Sequence, residues 1–120
     1  MNTRDMGFAK EKDVALFLKS KGYKILETNY RTSFGEIDII AKNKGDIVFI
    51  EVKYRKSSYS GTPQEAVNYR KQQKIIKSAL AYIKQNSLKN NIRFDVAAVS
   101  QNHIEIIESA FCAQEGKYYF

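Results

Sequence analysis

Asp38, Glu51 and Lys53 are the residues whose types and spacing bear most directly on chemistry. They stand in two Ile- and Val-rich runs, Glu36 to Lys42 and Ile47 to Tyr54, separated by Asn43-Lys44-Gly45-Asp46. Two such runs around a short glycine-containing break read as a β-hairpin, with Lys44-Gly45 as its two-residue loop. That register sets Asn43 against Asp46, Asp38 opposite Glu51 and Glu36 opposite Lys53. Side chains alternate with period two, so all four charges share one face of the sheet. Carboxylates directly opposite each other, with Cβ atoms about 4.5–5.5 Å apart, repel and weaken a sheet. Val48, Ile50 and Val52 occupy the other face, and Phe49 shares the charged one, so this strand reads as central and covered on both sides. Charges on such a strand need partners or a task. A divalent cation, Mg²⁺ or Mn²⁺, would turn the Asp38–Glu51 repulsion into attraction, because hard cations favour carboxylate oxygens. Lys53 lies within reach of a water or phosphate at such an ion. The competing reading is a solvated ion-pair cluster at the strand ends. A bare D…E-x-K string is common, and the strand–turn–strand context and the shared face tip the balance toward a site.

The first helix adds a third acidic group. Residues from about Asp5 to Lys21 form an amphipathic pattern with Phe8, Val14, Ala15, Phe17 and Leu18 on the apolar side. Phe8, Glu11, Ala15 and Leu18 follow one stripe, which puts Glu11 at the edge of the buried face. By itself Glu11 reads as a boundary glutamate reaching to water. Over the hairpin's charged face it becomes a candidate metal ligand.

The rest of the chain supplies the scaffold. Gly22 ends the first helix as a C′ glycine, and Tyr23 to Tyr30 is the first strand, ahead of the two hairpin strands. A Ser/Tyr-rich loop from Arg55 to Gly61 leads to Thr62-Pro63-Gln64-Glu65, a capping box with proline at the first helical position. The helix it predicts runs to about Gln85, with Ala66, Tyr69, Ile76, Leu80 and Ile83 along one side. Asn86 to Asn91 breaks it. Ile92 to Ser100 and Ile104 to Ser109 are a fourth and fifth strand across a Gln101-Asn102 turn. The order is αβββαββ, an α/β protein with a single mixed sheet flanked by helices.

The bulk properties narrow the function. At 120 residues and 43% hydrophobic content the chain reads as one domain with a real core. A single cysteine, Cys112, excludes an intrachain disulfide, and a single histidine, His103, excludes a His-rich zinc site. Any metal would therefore rest mainly on carboxylates. The first residues carry charges and no apolar core of a signal, and no run is long enough to span a bilayer, so the expectation is a cytoplasmic protein without membrane association. The net charge of +7 favours a polyanionic partner, nucleic acid before a membrane surface.

Three motifs taken together, Gly35-Glu36-Ile37-Asp38-Ile39-Ile40-Ala41, Val48-Phe49-Ile50-Glu51-Val52-Lys53-x-Arg55 and Gly61-x-Pro63-x-Glu65-Ala66-Val67, resemble the YraN-like family of uncharacterised bacterial proteins. Gly22-Tyr23, Asn29-Tyr30-Arg31, Lys71 and Phe94-Asp95 extend the likeness over nearly the whole chain. That family is similar to the restriction-endonuclease-like fold and to archaeal Holliday junction resolvases. The resemblance implies Asp38 and Glu51 as metal ligands, Lys53 as the catalytic lysine and Glu11 as the first-helix glutamate of resolvase-like members. The proline expected before the first aspartate is absent, with Ile37 in its place, a mild departure because many nucleases of this fold lack that proline.

The activity so implied is Mg²⁺- or Mn²⁺-dependent hydrolysis of DNA phosphodiesters, on branched or damaged DNA in the resolvase-like case. Lys53 orients the attacking water and offsets developing charge, and Glu36 is auxiliary, pairing with or orienting Lys53. Arg31, Arg55, Lys56, Arg70, Lys71 and Lys74 form the expected phosphate-binding surface. Lys77 and Lys84 read as ordinary solvated charges, and Tyr54 and Tyr59 as packing or stacking groups. A non-catalytic nucleic-acid-binding module with a vestigial site is the second reading, and a protein-interaction subunit the third. A homodimer is compatible with all three.

Overall fold

The computed structural model describes residues 3–54, 67–100 and 103–113, with side chains of the first helix described from Lys12 onward. Helix α1 spans Thr3–Ser20, followed by strands β1 (Lys24–Arg31), β2 (Glu36–Asn43) and β3 (Asp46–Tyr54). Helix α2 spans Tyr69–Gln85, and β4 (Ile92–Ser100) and β5 (His103–Phe111) complete the chain's described elements. The strands make one five-stranded sheet in the order β1-β2-β3-β4-β5. Every neighbouring pair is antiparallel except β3 and β4, which run parallel. A parallel pair needs a long crossover, and the segment containing α2 supplies it. This is the αβββαββ mixed sheet expected from the sequence.

Each helix covers one face. Val14 and Leu18 of α1 pack with Ile39, Ala41, Val48, Ile50, Val52, Ala97 and Val99. Ile75, Ile76, Ala79 and Tyr82 of α2 pack on the other face with Ile37, Ile40, Phe49, Phe94 and Val96. The central strand β3 is buried from Ile47 to Val52, as its two-sided apolar pattern requires.

Local chemistry sets the joints. Gly22, at φ +92°, closes α1: its N–H meets the Lys19 carbonyl at 3.1 Å, and the Tyr23 N–H reaches the Leu18 carbonyl at 3.0 Å. This is a Schellman end, with Tyr23 and Leu18 in the same apolar cluster. Lys44 and Gly45 both have positive φ, +54° and +84°, giving the mirror-image turn that suits a twisted hairpin. At the other sheet edge the fully buried Asp95 accepts from Arg93 and from the Ser109 N–H at 3.0 Å, beside a register shift in the β4–β5 pairing.

The start of α2 differs from the sequence expectation. The Thr62–Glu65 capping box lies outside the described residues, but the helix does not run through from it. Val67 sits in a bend and Asn68 is extended, at φ −67° and ψ 161°, with its side chain accepting the Lys71 N–H at 2.9 Å. Asn68 is thus the N-cap of α2. Tyr69, expected on the apolar side, falls in the first turn and is 58% exposed, while the expected Ile76, Leu80 and Ile83 do face the core, where Ile75, Ser78, Ala79 and Tyr82 are also buried. Among the described residues no helix is long and apolar enough to cross a membrane.

Replacing Asn68 with Ala removes that cap and should cost about 1 kcal/mol of stability, while Asn68→Ser should retain most of it. Urea unfolding of the two variants beside the parent measures the difference.

Candidate active site

The site forms where three elements end together: the start of β2, the end of β3 and the first turn of α2. The β2–β3 register runs from Asn43–Asp46 to Ile39–Ile50, in the pairing expected across Lys44-Gly45. At Asp38 the regular ladder gives way. Asp38 Oδ2 accepts the backbone N–H of Val52 at 2.8 Å, so its carboxyl group lies in the plane of the sheet, between the strands. Core packing records the same break, since Ile37 joins Ile40 and Phe49 under α2 while Ile39 packs under α1. The expectation that Asp38 stands on a sheet face in strict alternation is therefore corrected. The regular β2–β3 ladder ends before Glu36 and Lys53, and on its other edge β2 sets Glu36 in register with Arg31 of β1, their charges 3.6 Å apart.

Asp38 and Glu51 nonetheless come close enough for their carboxyl groups to act on each other, and the negative charge of Glu51 disfavours ionisation of Asp38. Glu51 shares the α2 side of β3 with Phe49 and is 5% exposed. Its counter-charge comes from α2, where Lys71 Nζ lies 2.9 Å from Glu51 Oε1. The Asn68 cap holds the backbone of Lys71, so the helix start and the ion pair are built from the same turn. The α2 N-terminus adds its own partial positive charge beside Glu51, and the first turn of α2 contains no acidic residue to use it.

Burial first, and then the charge of Glu51, push the Asp38 carboxyl up to about 7; the Val52 N–H and Lys71 oppose the shift. Burial alone would lower the Lys71 ammonium, but its hydrogen bond and attraction to Glu51, with Asp38 and Glu36 behind, raise it. Lys71 therefore stays charged while Asp38 changes its protonation near neutrality.

Lys53 is half-buried, two residues beyond Glu51 on β3, and pairs in register with Ala98 of β4. Lys74 and Arg70 are exposed on α2, and Arg31 is exposed on β1. Glu11 falls in α1, but its side chain lies outside the described residues, as do Arg55 and Lys56. Among the described residues no group of three or more His, Cys, Asp or Glu side chains is placed to hold a metal ion. The described acidic set is the Asp38–Glu51 pair. The sequence puts Lys71 in the phosphate-binding surface; its place against Glu51 follows only from a helix that begins at Asn68.

A mixed five-stranded sheet covered by a helix on each face, with paired carboxyl groups and lysines at the end of its central strand, defines this α/β protein. The chain belongs to the UPF0102 family: the model of "Uncharacterised protein family UPF0102" matches residues 10–99. A UPF0102 protein of Thermodesulfovibrio yellowstonii is 52% identical over 107 residues, covering 89% of this chain and 96% of its own. One from Clostridium acetobutylicum is 51% identical over 108 residues, covering 84% and 88%. A third, from Lachnoclostridium phytofermentans, is 42% identical over 115 residues, covering 94% and 98%. Among solved structures, Pyrococcus furiosus SfsA in complex with Ca²⁺ matches at 17% identity and a TM-score of 0.32, over 89% of this chain. This chain spans 62% of that structure's length, and a superposition so loose bears no weight.

The raised Asp38 makes a pH-dependent stability prediction. Between its ordinary 3.8 and about 7, the folded protein keeps a proton that the unfolded chain has lost. Stability from this group therefore falls as pH rises through that window, and the penalty is complete above it. Without metal, Asp38→Asn should be the more stable protein at pH 8, by roughly 1–2 kcal/mol, and nearly equal to the parent at pH 4. Lys71→Met should shift stability the other way, by roughly 1–3 kcal/mol, because it leaves Glu51 buried without its cation. Denaturant midpoints at the two pH values separate the effects.

Proposed function

We propose that this protein is a metal-dependent nuclease that hydrolyses DNA phosphodiester bonds, acting at Asp38, Glu51 and Lys53 with Mg²⁺ or Mn²⁺. The observation that carries the reading is the Asp38–Glu51 pair itself. Two carboxyl groups held close together at the covered end of a central strand, one of them with its pKa raised to about 7, oppose folding. A hard divalent cation removes that opposition, and the donor set of carboxylate oxygens fits it. Asp38 and Glu51 would hold the ion, with Glu11 from α1 as a third donor. When bound, the cation supplies charge neutralisation and Lewis acidity at the scissile phosphate.

The chain's own groups would do the rest. Lys53 follows Glu51 on the same side of β3 by strand alternation, and so presents its ammonium to a phosphate or an attacking water at the pair. Its contribution would be to orient that water and offset negative charge as the phosphate goes through its transition state. The Val52 N–H fixes one Asp38 oxygen, which leaves the other directed to the shared site. Glu36, tied to Arg31, would act at a distance on Lys71, whose charge it helps to stabilise. Arg31, Arg70 and Lys74 offer exposed cations around the pair, with Arg55 and Lys56 in the adjoining segment, suited to the phosphates of DNA.

The second reading, a nucleic-acid-binding module with a vestigial site, has one observation in its favour. Lys71 already neutralises Glu51, so the fold holds part of its acidic pair without an added ion.

Branched, flapped and linear DNA incubated with Mg²⁺, with Mn²⁺ or with EDTA should show cutting only with metal. Lys53→Ala should abolish cutting, by about 10²-fold or more, and keep most DNA affinity. Replacing Arg70 and Lys74 together should weaken binding to all sequences and flatten its salt dependence, by up to about 0.9 log units in slope for each phosphate no longer neutralised. Should the parent bind DNA yet cut none of these substrates with either metal, the vestigial module takes its place.

A further inference from the structure

The turn between β1 and β2 holds an exposed aromatic ring in a rigid frame. Phe34 is 43% exposed at the tip of Thr32-Ser33-Phe34-Gly35. Thr32 and Gly35 close the turn through a backbone bond of 2.8 Å, from the Thr32 N–H to the Gly35 carbonyl. Thr32 Oγ1 also accepts the Phe34 N–H at 3.0 Å and lies 2.7 Å from the hydroxyl of the fully buried Ser78 on α2. Gly35, at φ +155°, brings the turn close against α2: a Cβ there would stand 3.5 Å from that of Lys74. The ring is therefore displayed by a turn fastened at both ends, at the cost of leaving a phenylalanine half in water.

Its surroundings are cationic. Lys77 Nζ lies 6.0 Å from the ring centroid, at the outer limit of a cation–π contact and so loosely held. Lys74 packs beneath the turn, Arg31 immediately precedes it, and Lys71 lies six residues before Lys77, about 9 Å along the axis. Phe34 leads straight into β2, with Asp38 four residues on, roughly 13 Å at strand rise. Ring, lysines and acidic pair thus form one track along α2.

We infer that Phe34 is a stacking platform for an unpaired DNA base, and that the track from Phe34 past Lys74 and Lys71 to Asp38 and Glu51 takes a single-stranded segment. A ring beside Lys74 and Lys77 suits a ligand that combines π-faces with phosphates, whereas an apolar protein surface would offer those two ammoniums no counter-charge. Paired bases hide their faces in the stack, so only a single-stranded or splayed nucleotide can offer one to Phe34. The inference rests on the DNA reading given above but not on cleavage. It makes a strand with unpaired bases, rather than a continuous duplex, the preferred substrate of that site.

The sequence contains no tryptophan, so Phe34→Trp places a single indole at the platform. In EDTA this variant is titrated with oligothymidylate, with a blunt oligo(dA)·oligo(dT) duplex of the same length and with heparin. Oligothymidylate should quench the indole emission by about half or more on binding, while bound duplex and bound heparin leave it largely unchanged. Phe34→Ala in the parent should lose about tenfold or more in affinity for the single strand and less than about twofold for the duplex, with Phe34→Tyr restoring the single-strand value. Equal quenching by duplex or heparin, a bound single strand that leaves the indole unquenched, or no binding of the single strand at low salt overturns the inference. The same variant is then given Mg²⁺ or Mn²⁺ with duplex and flapped DNA. Cutting without single-strand quenching removes the platform and keeps the nuclease; quenching without cutting of any substrate does the reverse.

Discussion

A carboxylate buried at the end of a central strand has to be neutralised within a few ångströms, and Glu51 imposes that requirement on this fold. Strand β3 is covered by α1 on one side and α2 on the other, so water does not reach Glu51 freely. Taking an ion out of water costs several kcal/mol even after relaxation. The structure meets the cost from α2, whose first turn brings Lys71 to Glu51 and whose N-terminus points its partial positive charge to the same place. Where α2 begins is therefore an electrostatic matter as well as one of apolar packing. A cap at Asn68 fixes Lys71, and Ile75, Ile76 and Ala79 then fall on the core.

The fold contains its own comparison for Asp38. Both Asp38 and Asp95 accept a backbone N–H from the next strand, Asp38 from Val52 and Asp95 from Ser109, where regular pairing is interrupted. The two differ in what surrounds them. Asp95 is fully buried and compensated in full, with the Arg93 guanidinium at 2.9–3.2 Å and Arg93 in turn tied to Tyr23 and Asn43. Asp38 faces a second acid instead. If closing a gap in the ladder were its whole role, an asparagine would accept the same N–H without the repulsion. The like-charge neighbour is the part that strand geometry does not need, and local rules are broken in this way mostly where a protein has work to do.

Legibility in the sequence follows the range of the physics involved. The hairpin is readable because Lys44-Gly45 permits two positive φ values and Ile/Val alternation flanks it; the register holds to Ile39–Ile50. The end of α1 is readable because Gly22 satisfies a local hydrogen-bonding rule. Both are short-range constraints. The departure of Asp38 into the sheet plane is not readable, since alternation assumes an unbroken ladder, and here a side chain replaces a carbonyl as acceptor. The start of α2 is misleading in sequence because Thr62-Pro63-Gln64-Glu65 satisfies every local rule for a helix start. Asn68, the cap in the structure, also has a capping side chain, but no break before it announces a boundary. With the helix begun too early, Lys71 falls in an interior turn and reads as a phosphate-binding cation, with nothing to mark it as the counter-charge of Glu51. Phe34 is silent in sequence for a related reason: a lone aromatic in a turn gives no periodic signal, and Ser78, which fastens that turn, is distant along the chain.

Charge balance ties these features together. In the structure Lys71 answers Glu51, while Asp38 is accommodated largely by its readiness to keep a proton near neutrality. A divalent ion at the pair would change both accommodations at once, releasing the proton and making the Lys71 charge surplus to the pair. Lys71 lies 46% exposed, so its ammonium can turn outward without breaking the cap that holds its backbone. The cation freed in this way faces the track of Lys74 and Lys77, where a phosphate chain would supply the missing negative charge. Under the proposed function, occupation of the acidic pair and attraction of a polyanion would then be two consequences of one electrostatic balance. The same lysine that neutralises Glu51 in the folded chain would, under the proposed function, become part of the surface that meets the phosphates.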